Sequence, residues 1–585
     1  MPTGQEPAGT DGSPGPAPLV AVIGAGSSGL PTIKSCLEEG LRVVCFERTA
    51  GVGGLWRYTD PPVDGCGSVA RNTMLNSSKE FSAYSDFPPP AECPNFMLHS
   101  GMLEYLTRYA THFGLDKHIR FNHMIQAVRR ESPGDGNNEG GRRWTVSGRD
   151  TAAGKDFAVV ADAVVVCSGH HAVPRWPQVP GLRDTFRGRV VHAHDYRKPS
   201  PFEDRRVLVI GMGNSGGDMA VELSYVCSQV YLSTRRGTWM APRLAPDGRP
   251  MDVTMCTRAA FDHADLRQRV PSRRRLCRVR GWHSGRGDDI IVGTGYVKQV
   301  PFLPEEVACS VREGRVELYK FIFPVEDSSV AFVGIVEPIG GFWPVAEMQS
   351  RYVARVLAGR LALPDVDKQR DEATKRASHL PIKSDRYASQ VYWIAYMDEL
   401  ASLIGAKPNL KRMAVTDPVL YRHCVFGPCL PYQFRLEGPH SWEGARRAIL
   451  DFPKRMAPVH APPTLSEQGR VRGAISINMD VALTCAVVIA LAELKLRDLP
   501  PTRRRDHVAP VIHAAQESPR YGRAAAADVA VPRSAMEQQQ QRSVTDITGI
   551  QRSWRTVARI ETCDYCRSAS MATAVAAFHA FERWR

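Results

Sequence analysis

Two short apolar runs organise the chain, because each breaks at once into a glycine-rich turn and then into a pattern of helical period. The first, Leu19 to Ile23, runs into Gly24-Ala25-Gly26-Ser27-Ser28-Gly29, a helical stretch ending near Gly40, and a second apolar run from Arg42 to Phe46 that closes on Glu47. The second, Val207 to Ile210, runs into Gly211-Met212-Gly213-Asn214-Ser215-Gly216, then a helical pattern through Ala220, Val221 and Leu223. It is followed by Gln229 to Ser233, which closes on Thr234-Arg235-Arg236. Runs of four or five β-branched residues bounded by glycine predict buried strands, and a helix between two of them predicts a parallel βαβ unit.

In both units the turn reads G-x-G-x-x-G between strand and helix. The first glycine permits the tight turn, the second lets backbone approach a pyrophosphate, and the third lets helix pack on strand. The pyrophosphate then meets the free N–H groups at the helix N-terminus. The expected architecture is α/β, with two Rossmann-like dinucleotide-binding domains, one inserted in the other.

The ends of the two second strands carry opposite charge. Glu47 can accept hydrogen bonds from ribose hydroxyls, whereas Arg235, beside Arg236, suits a 2′-phosphate. An adenine dinucleotide in the first unit and NADPH in the second satisfies both, and Gly53-Gly54 offers the first the further close backbone approach that FAD proteins often need. Flavin with NADPH means hydride transfer. The plain alternative at the second unit is a glycine-rich turn beside a solvated arginine pair.

Elsewhere the pattern is coarser. Residues 1–18 read as a flexible leader rich in Gly, Pro, Ala and Ser. LNSSKEFSAYSDFPPP, from Leu75, reads as a loop, Gly101 to His112 as a helix, Ile119 to Val128 as a strand, and Gly134 to Gly141 as a polar turn. Asp162 to Cys167 reads as a buried strand, and Pro174, Pro177 and Pro180 stop regular structure after it. Ser384 to Leu410 reads as helical, with Val391, Ile394, Ala395, Leu400 and Leu403 on its apolar face.

The net charge of +14 changes this picture little. The clusters Arg273-Arg274-Arg275 and Arg503-Arg504-Arg505 lack interleaved aromatic residues, so they read as solvated charge and no nucleic-acid partner is expected. The fourteen cysteines follow no repeating frame, and the N-terminus has no basic, apolar and cleavable succession, which points to a reducing, cytosol-facing protein. Cys563-Asp564-Tyr565-Cys566 is a single C-x-x-C without a second pair, and no metal is expected.

Phe186 to Tyr196 fits F-x-G-x-x-x-H-x-x-x-Y, with Phe186, Gly188, His192 and Tyr196 at its fixed positions. Around it stand EGLRVVCFE, VGGLW, NSSKE, YSDFP, PNFM, CSGHH, GMGNSG and FGPCLPYQFRLEGP, between about Leu19 and Pro458. This set resembles the vertebrate drug-metabolising branch of the flavin-containing monooxygenases. Tyr196 is followed by Arg197, Lys198 and Pro199, whereas the related Baeyer–Villiger group usually has a tryptophan soon after the histidine.

The resemblance implies that Gly24, Ala25, Gly26, Ser27, Ser28, Gly29, Glu47, Leu55 and Trp56 hold FAD. It implies that Gly211, Gly213, Ser215, Gly216, Gly217 and Asp218, with Arg235, hold NADPH. Asn76, flanked by Leu75 and Ser77, matches the family asparagine beside the flavin and the nicotinamide amide. The implied reaction is NADPH- and O₂-dependent oxygenation of soft nitrogen and sulfur atoms, in small amines or thioethers, through a C4a-hydroperoxyflavin. A neutral amide suits that adduct because it can donate and accept hydrogen bonds without supplying an acidic proton. His192 and Tyr196 read as struts of a connector, and Asn76 as a turn cap is the plain alternative to its role in oxygenation.

The expected division is a FAD domain over 19–185 and 291–460, a connector over 186–205, and a shortened NADPH domain over 206–290, where the arginine-rich stretch Arg267 to Arg286 replaces a longer family insert. Residues 461–498 are a candidate membrane-associated segment and 499–585 a disordered tail. The family resemblance implies the cytosolic face of the endoplasmic reticulum membrane. Val481 to Ala492 falls short of the ~20 apolar residues that a span needs, which leaves a cytoplasmic protein as the alternative. Two functional alternatives stand beside the leading one: a cofactor-binding flavoprotein that no longer turns over, and a FAD- and NADPH-dependent disulfide reductase.

Overall fold

Parallel pairing of the two glycine-bounded units builds two separate sheets. The computed structural model describes residues 16–131, 143–184, 186–234, 243–245, 248–259, 288–312, 315–378 and 388–456. In the first sheet, β1 (Leu19–Ile23) lies between β2 (Arg42–Phe46) and β4 (Ala163–Val166), with β3 (Ile119–Arg120) outside β2 and β9 (Val330–Phe332) outside β4. Every pairing is parallel. In the second, also parallel throughout, the order is β7 (Gln229–Ser233), β6 (Arg206–Ile210), β8 (Asp288–Val292) and β5 (Arg189–His192).

All four residues of β4 are buried, as are Val20 to Ile23 of β1, which is why both read as unbroken apolar runs rather than alternating ones. Helix α1 (Gly29–Glu38) is buried from Gly29 to Cys36 because it lies between this sheet and α3 (Phe342–Leu357). Thr32 and Ser350 meet across that contact at 2.9 Å, so the two buried hydroxyls satisfy each other.

The second sheet occupies chain between β4 and β9 and is thus inserted in the first. The two crossings run side by side, Val173–Pro174 pairing antiparallel with Tyr296–Val297. Pro174 therefore sits within a bridge between the crossings instead of ending regular structure. The stretch read as a connector also supplies β5, an edge strand of the second sheet.

Three local expectations shift. The helix expected from Gly101 begins at His99. The strand expected over Ile119 to Val128 divides at Asn122, whose φ of 59° places it in the left-handed region, and resumes as His123–Arg130. The helix expected over Ser384 to Leu410 is Trp393–Leu403, and Val391 instead belongs to a short strand, Gln390–Tyr392, paired with Glu337–Ile339. Gly340 makes that pairing fit, because at its φ of 135° a Cβ would lie 2.0 Å from the Trp393 ring.

A buried ionic network joins segments far apart in sequence. Arg435 donates to Glu347 at 2.8 Å and to Asp86 at 2.8 Å, and Lys34 of α1 reaches Asp86 at 2.8 Å. Ser85 donates its amide to Glu347 at 2.6 Å and its hydroxyl at 2.8 Å, so the Glu347 carboxylate is surrounded by donors. Burial pushes the Asp86 carboxyl upward, but Arg435 and Lys34 outweigh it and hold the group below the usual carboxylate range.

Removing one partner strands the others in low dielectric. Glu347→Ala should cost about 3–5 kcal/mol of unfolding free energy, read by chemical denaturation, and a loss under about 0.5 kcal/mol would contradict the network's role. Because the folded Asp86 carboxyl titrates below its unfolded value, its contribution is complete above about pH 4 and is lost as the pH falls further. Stability of Asp86→Asn should therefore fall less steeply than the parent's between about pH 4 and pH 2.

Candidate active site

The first turn is built from backbone pressed against backbone. Gly24 has φ of 99°, and a Cβ there would lie 2.7 Å from the Cys167 carbonyl at the end of β4. A Cβ on Gly29 would lie 1.8 Å from the carbonyl oxygen of Gly24, so only glycine lets α1 start against the turn. Gly26 is different: its Cβ would lie 3.4 Å from the Cα of Gly54, an ordinary contact. The Gly53 amide donates to Ala25 at 3.1 Å, which closes the second glycine pair onto the first turn.

Glu47 is buried at the end of β2 with both oxygens held. Ala25 donates its amide to one at 2.8 Å, and Thr49 donates amide and hydroxyl to the other at 2.8 and 2.7 Å. The carboxylate is thus locked to the turn and keeps further lone pairs for a ribose hydroxyl. Leu55 and Trp56 lie in a short turn of 3₁₀ helix just beyond, and the Trp56 and Trp343 ring centroids are 5.4 Å apart. Ser27 accepts from the Tyr84 hydroxyl at 2.8 Å, while Ser28 is buried with its hydroxyl where a Cβ on Gly334 would fall. A backbone cradle at a helix start, with a fixed acid at the neighbouring strand end, fits an adenine dinucleotide.

The second turn repeats the construction. Gly211 has φ of 104° with a virtual Cβ 2.4 Å from the Gly293 carbonyl, and that of Gly216 lies 2.1 Å from the Gly211 carbonyl. Gly213 caps α2 (Asn214–Leu223) in an extended conformation. Ser215 and Asp218 are exposed and Gly217 half-buried, so this face of α2 is open. Arg235 and Arg236 lie outside the described residues, as do Val481 to Ala492, the arginine-rich stretch and the C-x-x-C.

The loop carrying Leu75, Asn76 and Ser77 is wedged between the two units. Leu75 is buried and donates its amide to Met97 at 2.9 Å, Ser77 meets Ser82 at 2.8 Å, and Lys79 donates its amide to Asn95 at 2.7 Å. Asn76, between them, is exposed, and among the described residues no hydrogen bond to its side chain supports the turn-cap alternative. From the second unit, Arg243 donates to the Leu75 carbonyl at 3.3 Å and reaches Asp218 at 3.5 Å. Asp252 accepts from the Ser78 amide at 2.6 Å, and Arg197 donates to the Val69 carbonyl at 2.7 Å. The loop is thereby held against the second unit on both sides of Asn76.

His192 and Tyr196 are struts. His192 accepts the His194 amide at 3.0 Å, and Tyr196 donates to Glu222 at 2.7 Å. Burial lowers His192 to about 4, so it stays neutral near pH 7. Burial also pushes His170 well below the usual histidine range, and its ring nitrogen lies 3.1 Å from the Gly334 carbonyl. Cys167, which packs against Gly24 and Gly29 of the first turn, is raised to about 12 by burial and so stays a thiol near pH 7.

Sequence reasoning missed Arg243, Asp252 and Glu222. Glu222 stands within the helical pattern after the second turn, but nothing in that pattern marks its partners.

Comparison with known proteins agrees with this geometry. A family model described as flavin-binding monooxygenase-like matches residues 17–274 and 281–493. Flavin-containing monooxygenase 5 of Rattus norvegicus is 37% identical over 505 residues, covering 75% of this chain and 92% of that protein. Flavin-containing monooxygenase 2 of Homo sapiens is 37% identical over 537 residues, covering 81% and 98%. Among solved structures, S-allyl-L-cysteine S-oxygenase from Allium sativum superimposes with a TM-score of 0.54 at 27% identity, over 69% of this chain and 95% of that one.

The two kinds of glycine contact separate folding from cofactor binding. Gly26→Ala should leave the apoprotein's melting temperature within about 2 °C of the parent while abolishing the bound-flavin absorbance. Gly29→Ala, which drives a methyl into a carbonyl, should lower the melting temperature itself by about 5 °C or more. Equal effects from both substitutions would refute the distinction.

Proposed function

The chain belongs to the flavin-binding monooxygenase-like family, and on that membership we propose which atoms it oxygenates, which residues serve the reaction and where it works. It is a flavin-dependent monooxygenase using FAD, NADPH and molecular oxygen. Its substrates are small molecules with a soft nucleophilic nitrogen or sulfur, amines and thioethers. One relative is named for N-oxide formation and one similar structure for S-oxygenation, the two outcomes expected of one electrophilic oxygen donor.

The observation that supports the reading is the exposed Asn76 on a loop held on both sides by Arg243 and Asp252 of the second unit. FAD, when bound and reduced by NADPH, supplies the oxygen-activating chemistry. The chain's own contribution is position. Gly24 to Gly29 would present the start of α1 to one pyrophosphate, with Glu47 and Ala25 at the ribose end, and Leu55 and Trp56 would help hold the flavin. Gly211, Gly213, Ser215, Gly216, Gly217 and Asp218 would present the start of α2 to the other, and Arg235 would serve the 2′-phosphate. Asn76, with Leu75 and Ser77 beside it, would offer hydrogen bonds to the two cofactors. Its amide offers two donors and one acceptor oxygen, without an acidic proton to release peroxide prematurely. Neutral His192 stands with its ring turned to the His194 amide, so it is a strut and not a general base.

We place the protein on the cytosolic face of the endoplasmic reticulum membrane. The candidate for attachment is the segment 461–498; among the described residues no helix is long and apolar enough to cross a membrane. Cell fractionation distinguishes this from a cytoplasmic protein by whether the chain pellets with microsomes and resists a salt wash.

The purified protein should consume NADPH and oxygen in equal amounts with an amine or thioether and yield the N-oxide or S-oxide, detected by mass spectrometry. A yellow protein that neither oxidises NADPH nor takes up oxygen would overturn the assignment in favour of a binding-only flavoprotein. Asn76→Ala should keep its FAD yet divert most NADPH oxidation into hydrogen peroxide, measured with a peroxidase-coupled dye. An unchanged yield of oxygenated product per NADPH would remove Asn76 from the reaction.

A further inference from the structure

Four residues before Asn76, the same loop is tied to the second unit a third time. The Asn72 side-chain amide donates to one oxygen of Glu222 at 2.5 Å, and the Tyr196 hydroxyl donates to the other at 2.7 Å. Glu222 is the penultimate residue of α2, the helix whose first turn carries Gly213, Ser215 and Gly216. At 1.5 Å per residue the carboxylate lies about 10 Å along the helix axis from Ser215. A helix is stiff over that length, so a grip on its far end constrains the position of its near end. The two donors come from different places: Tyr196 belongs to the segment following β5, Asn72 to the loop that leads to Asn76. Glu222 therefore has the loop on one oxygen and its own unit's scaffold on the other.

We infer that Glu222 and Asn72 form a positioning clip that sets the Asn76 loop against α2, and so fixes how closely the nicotinamide of NADPH approaches the flavin. The inference rests on the assignment of NADPH to the second turn. Arg243 and Asp252 pin the loop downstream of Asn72, at Leu75 and Ser78, while the clip pins it upstream. Three attachments spaced along seven residues leave the loop one register against the second unit. Half-buried Glu222 makes this attachment charge-assisted, and neither of its oxygens carries a proton to offer if the partner changes from donor to acceptor.

That asymmetry supplies the test. Asn72→Asp sets two carboxylates face to face, and Glu222→Gln leaves one of the two donors without its acceptor. Combining them restores the bond with its direction reversed, since the new amide can donate to the new carboxylate while still accepting from Tyr196. Each single variant should retain FAD and slow flavin reduction by NADPH about tenfold in stopped flow, the scale of one charge-assisted hydrogen bond, with little change in the dissociation constant for NADPH. In the apoprotein, deuterium exchange of the Thr73 to Ser78 amides should accelerate about tenfold in each single variant. The double variant should recover the parent's values in both measurements to within about threefold.

Single variants that match the parent in reduction rate and exchange, or a double variant no faster than the singles, would overturn the clip. Where a charge variant loses FAD, Asn72→Ala, which removes one exposed amide, must show the same slowing; parent-like reduction there also overturns it. A parent protein that NADPH does not reduce at all would instead overturn the assignment of the second turn.

Discussion

The arrangement depends on a contact that only glycine permits, made twice. At the start of α1 and again at the start of α2, a helix backbone lies so close to the preceding turn that a methyl group would stand 1.8 or 2.1 Å from a carbonyl oxygen. The closeness brings each helix N-terminus to the mouth of its own parallel sheet, where amide groups and helix dipole favour a pyrophosphate. Glu47 belongs to the same device, because its carboxylate grips the Ala25 amide inside the turn as well as marking the ribose end of β2. One side chain thus shapes the cradle and is the residue we propose for the ribose.

A second layer of forces holds these cradles in register. Arg435, near the end of the described chain, is buried against Glu347 on α3 and Asp86 in the loop after the first unit, and Lys34 on α1 completes the group. Two short family motifs, YSDFP and FRLEGP, are in contact here although about 350 residues separate Ser85 from Arg435. Their spacing carries no catalytic meaning. Charges so deeply buried are stable only when every partner is present, which makes the network a device of specificity more than of net stability.

Between the units the binding is of another kind, a seam of polar contacts across half-buried surface. Arg197 donates to loop carbonyls, Arg243 and Asp252 hold Leu75 and Ser78, and Glu222 holds Asn72. Such contacts are weaker than packing but directional, and so define a geometry without welding two domains into one. An oxygenation site needs this, since hydride must pass between cofactors carried by different units. The fingerprint residues His192 and Tyr196 take their meaning from the seam, as parts of its frame.

Much of this was legible in the chain. Unbroken apolar runs ending in G-x-G-x-x-G specify parallel strand, turn and helix because backbone sterics and burial act locally, and they marked Gly24, Gly26, Gly29, Gly211 and Gly216 without tertiary knowledge. Resemblance to a family added Asn76. What the pattern did not determine is which distant groups meet. Nothing in the local pattern marks the partners of Glu222, Asp86 or Arg435, because charge in a sequence has no address until the fold supplies its partner and excludes water. Val391 shows the same limit for secondary structure, since its helical spacing was overridden by pairing with a strand some fifty residues away. Local chemistry decided where the cofactor turns form; only packing in three dimensions decided what holds them at working distance, since hydrogen bonds and ion pairs depend on separation in space and not along the chain.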